Sequence, residues 1–231
     1  MNKTKTLLAT TILATSFSTA AYSQNINVGI SGAFGKMDAE GTETNVTAKA
    51  KKSGDANFPF ASIFAEYNLV VDKSLTMVLG LDYVPLSTEI EDTSRADTNL
   101  GGGGAGSGSN PTTTSTKKAN LELKNHATLY LQPTYSLGSN LSIFAKVGYS
   151  HADLQVTSNN GATGSTLNKK DDLEGYLIGL GVQKNIDKNT FVRLEANYTD
   201  YDTVTYTNSN GTRFTADPKL YAAKISVGKS F

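Results

Sequence analysis

The sequence predicts an all-β fold, an eight-stranded antiparallel up-and-down transmembrane β-barrel with short periplasmic turns and long extracellular loops. Three observations carry that prediction. After residue 25, period-two alternation of apolar and polar side chains dominates, and helical periodicity is hard to find. The alternating segments number eight, an even count that suits an antiparallel sheet closed on itself. Their connections alternate between tight turns and long polar stretches, as in barrels that cross a membrane.

Taken in order, the first segment sets Ile26, Val28, Ile30 and Phe34 against Asn27, Gly29, Ser31, Ala33 and Gly35. The second, noisier, opposes Ala61, Ile63, Ala65, Tyr67 and Leu69 to Ser62, Phe64 and Glu66. The third has Leu75, Met77, Leu79, Leu81 and Tyr83 against Thr76, Val78, Gly80 and Asp82. In the fourth, Leu121, Leu123, Ala127, Leu129, Leu131 and Tyr135 face away from Glu122, Lys124, His126, Thr128, Tyr130 and Gln132. The fifth opposes Leu141, Ile143, Ala145, Val147 and Tyr149 to Ser142, Phe144, Lys146, Gly148 and Ser150. The sixth places Tyr176, Ile178, Leu180 and Val182 opposite Gly175, Leu177, Gly179, Gly181 and Gln183. The seventh sets Val192, Leu194, Ala196 and Tyr198 against Arg193, Glu195 and Asn197. The eighth turns Tyr221, Ala223, Ile225, Val227 and Phe231 away from Ala222, Lys224, Ser226, Gly228 and Ser230.

Residues 72–74, 138–140 and 185–189 read as tight turns, and residues 37–57, 86–118, 154–172 and 202–219 as long loops rich in Gly, Thr, Asn and Ser. Opposed residues of an antiparallel pair share a face, so the apolar positions must agree across each turn. About residues 138–140 this pairs Leu137 with Leu141, Tyr135 with Ile143 and Leu131 with Val147. About Asp187 it pairs Val182 with Val192 and Leu180 with Leu194. The apolar face must meet lipid, because the other face carries the glycines and charges. Tyr67, Tyr83, Tyr135, Tyr149, Tyr176 and Tyr198 lie toward the ends of the apolar stretches, where an interfacial girdle wants amphipathic rings.

The N-terminus reads as a secretory signal over residues 1–23, cleaved before Gln24, which leaves residues 24–231 as one barrel domain. Lys3 and Lys5 form its basic head, an uncharged stretch runs from Leu7 to Ala21, and Ala21-Tyr22-Ser23 supplies the small residues of a cleavage site. No other stretch approaches eighteen apolar residues, so the mature chain crosses a membrane as strands if it crosses at all. The chain has no cysteine to staple a small secreted scaffold. With 21 basic and 21 acidic side chains it offers no electrostatic footprint for nucleic acid.

With its signal segment, eight alternating strands and terminal aromatic residue, residues 24–231 resemble the small outer-membrane barrels, namely the opacity/adhesin-type surface proteins and the barrel domain of outer membrane protein A. The most specific element is the C-terminal strand, where Tyr221, Ile225, Val227 and Phe231 fit the pattern that the barrel assembly machinery reads in that family, and Lys229 departs from it. The resemblance implies residence in the bacterial cell outer membrane, with its lipids and lipopolysaccharide as neighbours. The expected state is a monomer.

The inward charges Glu66, Lys146, Arg193, Glu195 and Lys224 fall at similar depth and form the expected lumen charge network. Charges in a narrow barrel are tolerable only when paired. The two readings are a salt-bridge plug, which the sequence favours, and a gate or small ion path. Inward Phe64, Tyr130, Phe144 and Phe191 occlude the lumen further. His126 is expected inward and His151 outward, with no serine motif beside them, so no catalytic residues are assigned and no enzyme is expected. The run Gly101–Gly106 has a G-x-G-x-x-G spacing but opens no helix, and it reads as a flexible loop. No metal-ligand spacing and no cofactor site is found along the chain. Lys49, Lys51 and Lys52 form a mild basic patch in the first loop. The expected function is a structural or surface-interaction role, in adhesion or envelope integrity, exerted through the long loops. The alternative is a narrow porin-like channel for small solutes or ions.

Overall fold

The computed structural model describes residues 25–44, 49–99, 113–160, 165–207 and 213–231; the expected signal segment and the glycine run 101–106 lie outside them. The described strands are β1 (Ile26–Thr44), β2 (Lys49–Val70), β3 (Leu75–Tyr83), β4 (Thr88–Asn99), β5 (Thr113–Gly138), β6 (Leu141–Asn160), β7 (Ser165–Asn185), β8 (Thr190–Tyr201), β9 (Val204–Thr207) and β10 (Arg213–Ser230). Every pairing is antiparallel. The sheet runs β1-β2-β3-β5-β6-β7-β8-β10, and β10 pairs back onto β1, closing a ring. β4 pairs with β5, and β9 with β10.

Ten strands therefore form where eight are expected. β3 is interrupted after Tyr83, next to Pro85, which has no N–H to give a ladder. β8 is interrupted at Asp202-Thr203 before β9 resumes. The stretches expected as loops are largely strand as well. Pairing runs from Met37↔Ala56 out to Thr44↔Lys49, from Leu154↔Asp171 to Asn160↔Ser165, and from Thr88↔Leu123 to Asn99↔Thr113. Polar composition does not bar a strand, and threonine is at home in one.

Two of the tight turns use one piece of chemistry. Asp72 Oδ1 accepts from the Ser74 and Leu75 amides at 2.6 and 2.8 Å, and Asp187 Oδ1 accepts from the Asn189 and Thr190 amides at 2.8 and 2.7 Å. Asp187 thus opens its turn and is not its centre. Val182 consequently opposes Leu194, and Leu180 opposes Ala196, a two-residue slide that keeps every side chain on its expected face. In the third turn Gly138, Ser139 and Asn140 all have positive φ. A bulge between Ser136 and Gly138 leaves Gly138, and not Leu137, opposite Leu141.

A second bulge changes which residues lie inside. Asn125 has φ 51°, and one extra residue enters β5 between Lys124 and Ala127. The parity of β5 flips there, so Leu123 is buried with Met37, Phe58, Ala152, Leu173, Tyr201 and Leu220 in an apolar cluster. Leu121 packs against that cluster too. Both were expected on the lipid face with Leu129, which stays outside and is 57 % exposed. Elsewhere on that face Ile30, Phe34, Ile178, Leu180 and Ile225 are exposed, as side chains that meet lipid should be. The tyrosines fall in two rows: Tyr67 and Tyr135 beside the short turns, and Tyr83, Tyr149, Tyr176 and Tyr198 farther along, with Tyr149 against Tyr176 and Tyr198 against Tyr221.

Candidate functional site in the barrel lumen

Halfway along the ring, strands β2, β3, β6, β8 and β10 point charged side chains at one another. Arg193 donates through Nη1 and Nη2 to the two Glu66 carboxylate oxygens at 2.6 and 3.1 Å. Two more of its five N–H groups are taken by Gln183 Oε1, at 3.3 Å from Nε and 2.9 Å from Nη2. Glu66 also accepts from Tyr130 Oη at 2.6 Å and Asn27 Nδ2 at 3.1 Å. Lys146 Nζ lies 2.8 Å from Glu195 Oε2, and Asn197 Nδ2 donates to Glu195 Oε1 at 2.8 Å. Lys224 Nζ donates to Asp82 Oδ2 at 2.7 Å and lies 3.9 Å from Glu195 Oε1. Ser62 Oγ adds a bond to Asp82 at 3.0 Å. All six charged residues are buried. Three carboxylates and three cations leave the group formally neutral, the condition under which such burial is tolerable.

The rings that narrow the lumen also hold its cations. The Arg193 guanidinium carbon is 5.0, 5.1 and 5.4 Å from the ring centroids of Phe191, Phe144 and Phe64, and Lys146 Nζ sits 4.2 Å from the Tyr130 centroid. Each ring needs floor space on the neighbouring strand. A Cβ on Gly80 would overlap the Tyr130 ring, and one on Gly228 would overlap Phe191. Glycine at these two positions is a packing requirement and not a matter of backbone freedom.

Below the charged layer, at the short-turn end, the lumen opens into a polar cup of about 270 Å³ floored by Arg193 and Phe191. Above it lies the apolar cluster around Phe58 and Leu123. At their junction His126 is buried, with Nε2 3.1 Å from Tyr201 Oη.

The sequence from residue 7 to 231 matches the family described as outer membrane protein beta-barrel domain. The chain belongs to that family. As an outer-membrane barrel it sits in the bacterial outer-membrane bilayer, in contact with lipopolysaccharide. It is similar in fold to the outer membrane protein OprG from Pseudomonas aeruginosa, at 15% identity over 90% of this chain and 96% of that one, with TM-score 0.54. It is likewise similar to the outer membrane protease OmpT from Escherichia coli, at 10% identity over 90% and 97%, with TM-score 0.52. Ail, the attachment invasion locus protein of Yersinia pestis, aligns at 12% identity over 90% and 99%, with TM-score 0.45. No curated protein matches the sequence.

In this outer-membrane barrel Glu66, Lys146, Arg193, Glu195 and Lys224 lie in the one charged layer. Asp82, left out of the expected network, is the partner of Lys224. Charge balance signals its presence, since two carboxylates cannot neutralise three buried cations and Asp82 shares the inward face. On the last strand Tyr221, Ile225 and Val227 face outward and exposed. Phe231 exchanges backbone bonds with Ile26, at 2.8 Å as donor and 3.3 Å as acceptor, and the Lys229 ammonium lies 5.5 Å from its ring centroid.

His151 is half-exposed on the outer wall, 3.7 Å from Asp153 and 3.9 Å from Glu174. Asp172, opposite Asp153 on β7, completes a His151–Asp153–Asp172 group whose ligand atoms lie within 4.8 Å of one another, close enough to hold a metal ion. Spacing along the chain cannot reveal this group, because Asp172 comes from the neighbouring strand.

Proposed function

We propose that the protein is a surface-interaction and envelope barrel whose lumen is shut and whose activity resides in the strands that project beyond the bilayer. The membrane-crossing belt in this reading is eight-stranded, with the short turns periplasmic, and β4 and β9 belong to extracellular extensions. The carrying observation is the neutral six-charge layer, in which each ionised group has an opposite partner and Arg193 places four N–H bonds on Glu66 and Gln183. An ion path would need at least some of those groups to face water. The outward projection supports the same reading: β6 continues from Tyr149 to Asn160, roughly 35 Å of extended chain at strand rise. Residues 24–231 form the mature domain in this proposal, the barrel assembly machinery docks on the strand bearing Tyr221, Ile225, Val227 and Phe231, and the barrel works as a monomer.

Single-channel recording of the purified protein in planar bilayers tests it, once heat-modifiable gel mobility shows a folded barrel. An electrically silent barrel is the expected result. Steady openings whose conductance changes on Arg193→Gln or Lys224→Gln would replace this reading with the narrow channel.

A further inference from the structure

We propose that the cup at the short-turn end is a binding site for a single neutral sugar ring. The cavity, about 270 Å³, lies just under the roughly 300 Å³ at which pockets for small ligands begin, which suits a monocyclic ligand. Its wall is built from amide and hydroxyl side chains contributed around the ring, and its apolar lining is Val78 and Phe191. A sugar presents that same combination, C–H patches bordered by hydroxyls that both donate and accept.

Hydrogen-bonding capacity is left over where such a ligand would reach. The Thr76 and Ser142 hydroxyls line the cup with no side-chain partner among the described residues. Asn185 accepts from Gln183 Nε2 at 3.1 Å, which leaves its own amide nitrogen to donate. Asn68 is oriented by its reciprocal bonds with Asn27, at 3.1 and 3.2 Å. The walls are therefore set before anything enters, which limits the ordering cost of binding.

Charge argues for a neutral occupant. Arg193 is the cation on the floor, and its charge is already matched by the bidentate Glu66 carboxylate, with two further N–H groups on Gln183, so an anion would have to compete with Glu66 for it. Asp187 and Lys188, which also line the cup, are exposed and opposite in sign. The inference stands apart from the question of conduction, because the cup lies wholly on one side of the charged layer.

The test is two-dimensional NMR of the purified protein in phosphocholine micelles, since maltoside detergents carry sugar of their own. The probes are N-acetylglucosamine, its linear β-1,4 trimer and inorganic phosphate. Shifts centred on Thr76, Ser142 and Asn185, half-saturating on the order of 1–10 mM, are expected for the sugars. Thr76→Val should weaken binding about five-fold, and Thr76→Ser should retain it. Binding of the monosaccharide assigns a free sugar as the source; binding of the trimer alone assigns the end of a glycan chain. Shifts with phosphate and none with either sugar, or no shifts at these residues at 100-fold the protein concentration and above about 100 mM sugar (roughly ten times the weakest expected half-saturation), would overturn the proposal and leave a water-filled cup.

Discussion

Replacing Glu66 with Gln removes one charge from the lumen and changes almost nothing in its shape. The carboxylate accepts from Arg193 Nη1 and Nη2, Tyr130 Oη and Asn27 Nδ2, so the amide of a glutamine would turn an N–H toward groups that are themselves donors. Arg193, 3% exposed and set among Phe64, Phe144 and Phe191, would keep its charge without a partner. Two unit charges at about 4 Å attract by about 4 kcal/mol at an effective dielectric of about 20. Breaking a buried pair by removing one member costs roughly 3–5 kcal/mol. A destabilisation of about 3–4 kcal/mol is therefore expected, read as the shift in equilibrium urea unfolding of the barrel in lipid vesicles. Adding Arg193→Met to Glu66→Gln should return more than half of that loss, because an apolar side chain then fills the space without a stranded cation. A loss below about 1 kcal/mol for Glu66→Gln alone, a value typical of exposed pairs, would refute the reasoning.

Leu123→Ala should cost about 2–4 kcal/mol, because the side chain is 4% exposed inside the barrel. Leu129→Ala should cost much less, since lipid tails refill the space it leaves; equal losses in urea unfolding would place both leucines on one face. Gly80→Ala should destabilise by about 1–3 kcal/mol by driving the Tyr130 ring off its bond with Glu66, and unchanged unfolding would show that the ring has room to move. The Ser74 and Leu75 amides hold the Asp72 carboxyl below its ordinary value of 3.8, and the Asn189 and Thr190 amides do the same for Asp187. A depressed acid stabilises the folded turn in full above 3.8, and that contribution is lost as pH falls through the lower folded value. In an NMR acid titration both carboxylates and their bonded amides should shift with midpoints below 3.8, and midpoints at or above it would remove the capping role.

Much of the barrel was legible because its two solvents differ so sharply. Alternation places Ile30, Leu180 and Ile225 toward lipid and Glu66, Lys146 and Arg193 inside without any knowledge of pairing. What stayed hidden was whatever depends on a neighbouring strand or a single backbone dihedral. One left-handed residue, Asn125, carries Leu121 and Leu123 to the other face, and nothing in an alternating pattern announces the flip. The slide about Asp187 arises from two side-chain bonds within the turn, while parity across it is the same for either register. The outer ladders were hidden for another reason. Residues 37–57 and 154–172 lack the regular apolar–polar alternation of the other strands, so the contrast that marks a strand is missing there while backbone pairing continues.

Ring closure carries a consequence for the order of assembly. β1 and β10 pair along their whole lengths, from Asn27↔Ser230 to Thr44↔Arg213, joining residues about as far apart in sequence as the chain allows. Such distant contacts form slowly, and they cannot begin until the last residues have been made. Glu66 and Arg193, 127 positions apart, sit on strands separated around the ring only by β1 and β10. Until that seam shuts, the arginine has no carboxylate opposite it and an open sheet in lipid would hold a bare cation. The ion pair thus penalises the half-built sheet, and its formation marks the moment at which the barrel is committed.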